Sequence, residues 1–159
     1  MRESIGATSI FALCITFIML FTAYLAISVN YSKAFRIKSN IVSMIEENSG
    51  MAGLTEDIEK YIVSQAYTAS GKCPKSEDLT DNNSDTVGNW GSATQINYTN
   101  PSSDTSNVCI YRLEIKTNND DIDANKVYYK VVTFFKFDLP IIGNITTFKI
   151  AGDTKLLYE

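Results

Sequence analysis

Cys73 and Cys109 are the residues of this chain best suited to covalent chemistry. An even pair in a small polar region fits a disulfide made in an oxidising compartment. The stretch between them, 74–108, is long and polar, so closing it would stabilise the fold by roughly 3–4 kcal/mol on the chain-entropy estimate. The other reading of the pair is two reduced thiols buried as small hydrophobes. Catalytic groups are scarce. The sequence has no histidine, which removes Ser-His-Asp and Cys-His nucleophile systems and every zinc site with an imidazole ligand. "DNNSD" at 81–85 and "NNDDID" at 118–123 space oxygen atoms at alternate positions, as calcium loops do. Neither supplies the later Gly and Glu such a loop needs, so both read as solvated turns. No glycine-rich phosphate cradle is present. Acid–base work would fall to carboxylates on turns alone, and the expectation is a non-enzymatic protein without metal or cofactor. Asn82, Asn97 and Asn144 open glycosylation sequons, which matter only in a cell that glycosylates them.

The elements that carry these residues begin with a membrane stem. The chain has 159 residues, with 14 basic and 18 acidic side chains and a formal charge of −4. Arg2, Lys33, Arg36 and Lys38 flank an apolar stretch, and beyond Lys38 acids outnumber bases. Such a surface repels nucleic-acid phosphates, so nucleic acid is excluded as a partner. No charged residue lies between Glu3 and Lys33, a stretch longer than the ~20 residues that cross a hydrocarbon core of about 30 Å. A removable signal would have an apolar core of only about 7–15 residues followed by a cleavage site. The expected organisation is therefore a cytoplasmic leader at 1–6, a transmembrane helix at 7–30, its soluble continuation at 31–48, and an extracytoplasmic α+β head at 49–159.

Orientation draws on opposing signals. The positive-inside tendency favours a cytoplasmic place for Lys33, Arg36 and Lys38. The cysteine pair and the Asn/Ser/Thr-rich head favour the outside, and the expectation is a single-pass membrane protein with its N-terminus cytoplasmic. Tyr24, Tyr31 and Phe35 would mark the outer interface. Phe11, Ala12, Thr16 and Ala23 form a candidate packing face, since small and hydroxylated residues let helices approach closely. Ordinary membrane-helix composition would give the same residues, and Cys14 reads as packing only.

Periodicity supplies the rest. Ala34, Phe35, Ile37, Ile41, Val42, Met44 and Ile45 continue the stem at helical spacing until Asn48, Gly50 and Gly53 end it. A second helix starts at Thr55 as its cap, with Ile58, Tyr61, Ile62 and Gln65 or Ala66 facing inward and a stop before Gly71 and Pro74. In "CIYRLEIK", Tyr111, Leu113 and Ile115 alternate with charged residues as in a half-buried strand. "TNNDDIDAN" turns the chain. "KVYYKVVTFFKFD" then sets Val127, Tyr129, Val131, Thr133, Phe135 and Phe137 on one face. A last strand, about Ile145 to Tyr158, would turn Phe148, Ile150, Leu156 and Tyr158 inward. The expected fold is α+β: a long N-terminal helix laid against a small antiparallel sheet of three to four strands, with the stem covering its apolar face. The loop "DLPIIGN" puts Leu139, Ile141 and Ile142 on a connection, either packed on the stem or exposed to a partner.

That plan is the plan of pilins, and both ends carry a closer likeness. "RESIGATSIFAL" and "YYKVVTFFKFDLPIIGNITTFKIAGDTKLLY" resemble the opening and the end of TadE-like pseudopilins, minor components of tight-adherence (Flp, type IVb) pilus systems. The likeness covers the two ends of the chain and is weak between them. It implies a prepilin-peptidase junction between Gly6 and Ala7, with Arg2 and Glu3 in a short leader. It further implies a lipid bilayer, other pilin-like subunits, a pilus assembly platform and the peptidase itself as partners. One departure stands out: where such proteins commonly carry a Glu, at the fifth position after the junction, this chain has Phe11. Either the subunit does without the contact between that acid and a neighbour's amino terminus, as an initiating or tip subunit would, or the stem stays an unprocessed anchor. A second functional reading is a single-pass, membrane-anchored extracellular binding module, with Trp90 in the polar segment either anchoring a ligand or plugging the core beneath its loop.

Overall fold

A computed structural model describes residues 2–79, 90–98, 104–116, 122–139 and 143–158. Its first helix, α1, runs Arg2–Glu47 for 46 residues, a rod of about 70 Å at 1.5 Å per residue. Neither Gly nor Pro occurs between Ala7 and Ser49, so nothing kinks it. It ends as expected: Ser49 takes φ 53°, the Gly50 amide donates to the Ile45 carbonyl at 3.0 Å, and Gly53 turns the chain at φ 75°. The second helix, α2, is Thr55–Ser64. Thr55 is its first helical residue rather than its cap; Leu54 precedes it and offers no side-chain bond to the helix end. Ile58 and Ile62 are buried, whereas Gln65 and Ala66 are exposed. Ala66 sits at φ 47°, which turns the chain so that Tyr67 becomes the next inward residue.

Among the described residues five strands follow, where three to four were expected: β1 Thr94–Ile96, β2 Val108–Lys116, β3 Ile122–Leu139, β4 Gly143–Asp153 and β5 Leu157–Tyr158. They pair antiparallel in the order β1-β2-β3-β4, and β5 joins β3 beyond the end of β4. β1 lies within the segment read as polar loop. β3 starts at Ile122, so part of "TNNDDIDAN" is strand, with Lys116 opposite Ile122 after a bulge in β2. The single last strand expected is broken at Thr154. That residue takes both ladder bonds from Tyr129, its amide donating to the Tyr129 carbonyl and its hydroxyl accepting from the Tyr129 amide, each at 2.9 Å. Past the break the inward residue is Leu157 rather than Leu156, and Tyr158 is exposed; upstream of it Ile150 packs on the stem-side core as expected, while Phe148 is exposed.

β3 is apolar on both faces because both are covered. One face, with Val127, Tyr129, Val131 and, from β2, Val108 and Ile110, packs on Ala34, Ile37, Ile41 and Ile45 of α1 and on Ile58 and Ile62 of α2. The stem thus covers the sheet as expected. The other face carries Cys109, Tyr111, Val132 and Phe134 under Leu79, Cys73 and Trp90. Tyr111 and Leu113 are therefore buried, but away from the stem. A short 3₁₀ turn, Ser76–Leu79, belongs to this second cover.

α1 and β3 run in opposite directions. Thr133 Oγ1 donates to the Ala34 carbonyl at 3.5 Å, Asn30 Nδ2 donates to the Lys136 carbonyl at 3.4 Å, and the Lys155 amide donates to Glu46 Oε1 at 2.8 Å. The end of β3 and the start of β4 therefore lie toward the apolar half of α1, and β5 lies away from it.

If the stem is the wall of the core, Ile41→Ala should lower the unfolding free energy of the full chain in micelles by about 2–5 kcal/mol. Chemical denaturation followed by Trp90 fluorescence measures it. Val29→Ala, at an exposed stem position, should leave the midpoint in place.

Candidate functional site

Among the described residues nothing covers the apolar half of α1. Ile10, Phe11, Leu13, Phe17 and Leu20 are each 66–69% exposed, and α1 is long and apolar enough to cross a membrane. A continuous apolar surface of that size needs lipid or other helices around it. Of the candidate packing residues, Phe11 and Ala12 are exposed and Ala23 is half-covered. Thr16 is also exposed, but its hydroxyl donates to the Ala12 carbonyl at 2.9 Å, and that of Thr22 to the Ile18 and Met19 carbonyls at 3.0 and 2.9 Å. These hydroxyls spend their protons on their own helix. Gly6 lies in α1 with open space where a Cβ would stand. Ala7 lies in the same helix, with its side chain outside the described set. Leu139 ends β3 opposite Gly143; its side chain, with Ile141 and Ile142, lies outside the described residues, as does "DNNSD".

Cys73 and Cys109 form a disulfide, their Cα atoms 5.8 Å apart across a separation of 36 residues. It ties the covering segment to β2. The same cover is held by polar bonds to the sheet. Tyr67 Oη donates to the Phe134 carbonyl, and Tyr111 Oη donates to the Pro74 carbonyl at 2.5 Å. Buried Asn107 donates through Nδ2 to the Ala69 carbonyl at 2.9 Å and accepts the Tyr98 amide at 3.2 Å. Trp90 is half-buried against this face, opposite Leu113 in an isolated bridge, with Lys130 Nζ 4.7 Å from its ring centre. It packs partly buried against this second core. Lys130 is itself buried, 3.7 Å from Asp153 Oδ1.

Where the stem meets the head, an aromatic chain and a ring of basic residues come together. Phe148 stacks on Phe135 at 5.3 Å, Phe135 meets Tyr31 edge-on at 5.7 Å, and Tyr31 stacks with Phe35 at 6.3 Å. Lys38 Nζ lies 4.3 Å from the Phe35 ring centre. Beside them, on the face away from the stem, an open groove of about 810 Å³ is floored by Phe134 and rimmed by Lys72, Lys136 and Lys149. Gly71 allows it, since a Cβ there would overlap the Phe134 ring. A smaller groove of about 390 Å³ borders Lys33, Arg36 and Gln65. Sequence reading missed this cluster. Its trace was the repeated Phe-Lys pair in "FFKFD" and "TTFKI", which the β3–β4 ladder sets side by side, with Phe135 opposite Phe148 and Phe134 opposite Lys149.

Among the described residues no three His, Cys, Asp or Glu side chains gather as a metal site. Comparison with protein-family models, curated proteins and solved structures returns no match to this chain. What the geometry defines is a helix-anchored α+β protein with a disulfide-clamped head.

Replacing both Cys73 and Cys109 with Ser should lower the unfolding free energy by roughly 3–4 kcal/mol, read from urea midpoints with and without reductant on the unsubstituted chain. Burial pushes the Tyr111 hydroxyl up to about 12, and burial raises that of Tyr67 as well. Both folded values lie above the ordinary value near 10, so this contribution is whole below pH ~10 and is lost as pH rises through about 12. The thermal midpoint should fall over that window, and the fall should be shallower in Tyr111→Phe.

Proposed function

We propose that the chain is a non-enzymatic, pilin-like envelope protein of the pseudopilin kind, which assembles through its N-terminal helix into a tight-adherence type IV pilus or secretion apparatus. One observation carries the reading: a single unbroken helix is bare along its apolar half and forms the core wall of a folded head along its other half. A stem that runs without interruption from a bare apolar stretch into the core of its head is the arrangement that a pilin-like subunit uses to assemble.

In this reading the stem waits in the bilayer, with residues 1–6 cytoplasmic and the disulfide-bonded head outside, where disulfides persist. A prepilin peptidase cuts between Gly6 and Ala7. The stem then leaves lipid for a bundle of similar helices, using Phe11, Ala12, Thr16 and Ala23 as its contact face, while Leu139, Ile141 and Ile142 add a contact from the head. Burial of the apolar side chains against neighbouring helices replaces their burial in lipid, so packing shape rather than a gain in hydrophobic burial drives the exchange. Phe11 in place of an acid removes the pairing with a neighbour's amino terminus, which suits a subunit at the end of an assembly.

Mass analysis of the protein from its native membrane tests this. The mature chain should begin at Ala7, and Gly6→Asp should block the cut. A chain that keeps Met1 through Gly6 in assembled material would overturn the processed-pilin reading.

A further inference from the structure

We propose that the end of the head nearest the apolar half of α1 is a docking surface for anionic lipid headgroups. Lys72, Lys136 and Lys149 form its core, and Lys33, Arg36 and Lys38 continue it around the stem. The proposal rests on the reading of α1 as a membrane span and adds the surface chemistry that the span alone does not need.

Height along α1 carries the first part of the case. The uncharged stretch ends at Ser32. The Asn30 side chain reaches the Lys136 carbonyl and Thr133 reaches Ala34. Lys149 is opposite Phe134 in the ladder, and Gly71 beside Lys72 lies on the Phe134 ring. The Lys38 side chain lies over Gly152 of β4. All six basic residues thus stand within the level of α1 from Asn30 to Lys38, about 12 Å at 1.5 Å per residue. The headgroup layer is about 5–8 Å deep on each side of the hydrocarbon, and flexible lysine stems span the difference by snorkelling.

Charge distribution carries the second part. The chain is net acidic, yet this end is basic. Glu46, Glu47, Glu56, Asp57 and Glu59 lie at or beyond the far end of α1, and Asp153 pairs with Lys130 farther up the sheet. At the basic end Asp104 faces Lys72 at 4.0 Å with both side chains exposed, and Asp138 follows in β3 with its side chain outside the described set. Lys136 and Lys149 form no ion pair among the described residues. The head is therefore polarised along the membrane normal, and the negative surface of a bilayer attracts the end that faces it.

The aromatic chain is the third part. Tyr31, Phe35 and Phe148 are each 46–47% exposed at this same level, where aromatic rings settle in a membrane. A free anion explains the lysines of one groove but not exposed rings beside them, nor a second basic-rimmed groove at the same height. Lipid explains all three, since phosphates meet the lysines while the rings meet the upper acyl chains.

Full-length protein in nanodiscs provides the test, with phosphatidylcholine alone compared against an equal mixture with phosphatidylglycerol. A nitroxide carried on the phosphatidylglycerol headgroup should broaden the amide signals of Thr147 to Ile150 more strongly than one on phosphatidylcholine. Lys72→Gln/Lys136→Gln/Lys149→Gln should abolish that preference, at about fivefold in headgroup selectivity per lysine, while Lys60→Gln/Lys155→Gln keeps it. Near-ultraviolet circular dichroism shows whether the triple variant keeps its fold, and single Lys149→Gln, at an exposed position on the edge strand, reads a partial loss independently of it. Equal broadening by both lipids in a protein that inserts normally would overturn this proposal and leave the anchor intact. Failure to insert at all would overturn the anchor and this proposal together. Protection of the same amides by inorganic phosphate in neutral micelles, without lipid preference in nanodiscs, would reassign the groove to a soluble anion.

Discussion

The head cannot close its core without the stem. Ala34, Ile37, Ile41 and Ile45 are almost wholly buried, and they recur at the three- and four-residue steps that set one stripe of a helix toward a neighbour. The sheet supplies Val108, Ile110, Val127, Tyr129 and Val131 to meet them. Each Ile and Val among them, fully buried, is worth about 1.5–3 kcal/mol relative to exposure, a sum comparable to the whole stability of a domain this size. Residues 49–159 on their own would present that face to water. The boundary between stem and head is therefore one of function and not of folding, and the α1 helix belongs to both.

A second consequence lies on the opposite face of the sheet. A strand such as β3, central and apolar on both sides, needs two covers, and among the described residues both α-helices lie on the stem side. Among the described residues, the other cover offers little apolar area: Leu79, Trp90, Ala93 and Cys73. Such a cover is held by specific bonds more than by burial. The disulfide, the Tyr67 and Tyr111 hydroxyls and the Asn107 amide all link it to the sheet, and the bridge between Gly71 and Ser106 adds two backbone bonds. Polar groups in such a place must be paired or they cost more than they give. This explains why so many of the buried polar contacts of the molecule concentrate there, and why Lys130 is tolerated inside, with Asp153, the Leu79 carbonyl and the Trp90 ring around its ammonium.

Legibility in the sequence followed the physics of each element. The stem was readable because its signal is long and unbroken, and its inward stripe because isoleucine recurs at helical steps. β3 was readable by alternation, and the cysteine pair by its context. The covering segment was not, since its order comes from side-chain bonds to distant strands, which no local period announces. β1 has only three residues, too few for a pattern. The break at Thr154 depends on one hydroxyl replacing a ladder partner, and the sequence around it reads on as strand. The alternation in β2 was legible, and Tyr111 and Leu113 are buried, but not which cover they meet: Val108 and Ile110 point one way, Tyr111 and Leu113 the other, and both sets are apolar. Periodicity cannot choose between two covered faces. The basic groove was hidden because its members come from three separate segments and meet only through the β3–β4 register.

The flanking charges that leave topology ambiguous in the sequence take on a different sense beside the folded head. Positive charge next to a span favours the cytoplasm as a statistical rule about residues near the membrane, and Lys33, Arg36 and Lys38 sit within that reach. The rule does not distinguish free charges from charges engaged by a folded partner. Lys33 Nζ donates to the Ala66 carbonyl at 3.2 Å at the end of α2, and Lys38 lies against Phe35 and Gly152, so two of the three are parts of the stem–head joint. Their place is set by packing against the head as well as by nearness to the apolar stretch. The disulfide then weighs more heavily in the balance, because it needs an oxidising space whichever way the charges lean. In the arrangement proposed above, the basic collar seats the head on the membrane and the Cys73–Cys109 bond lies in a compartment that maintains it.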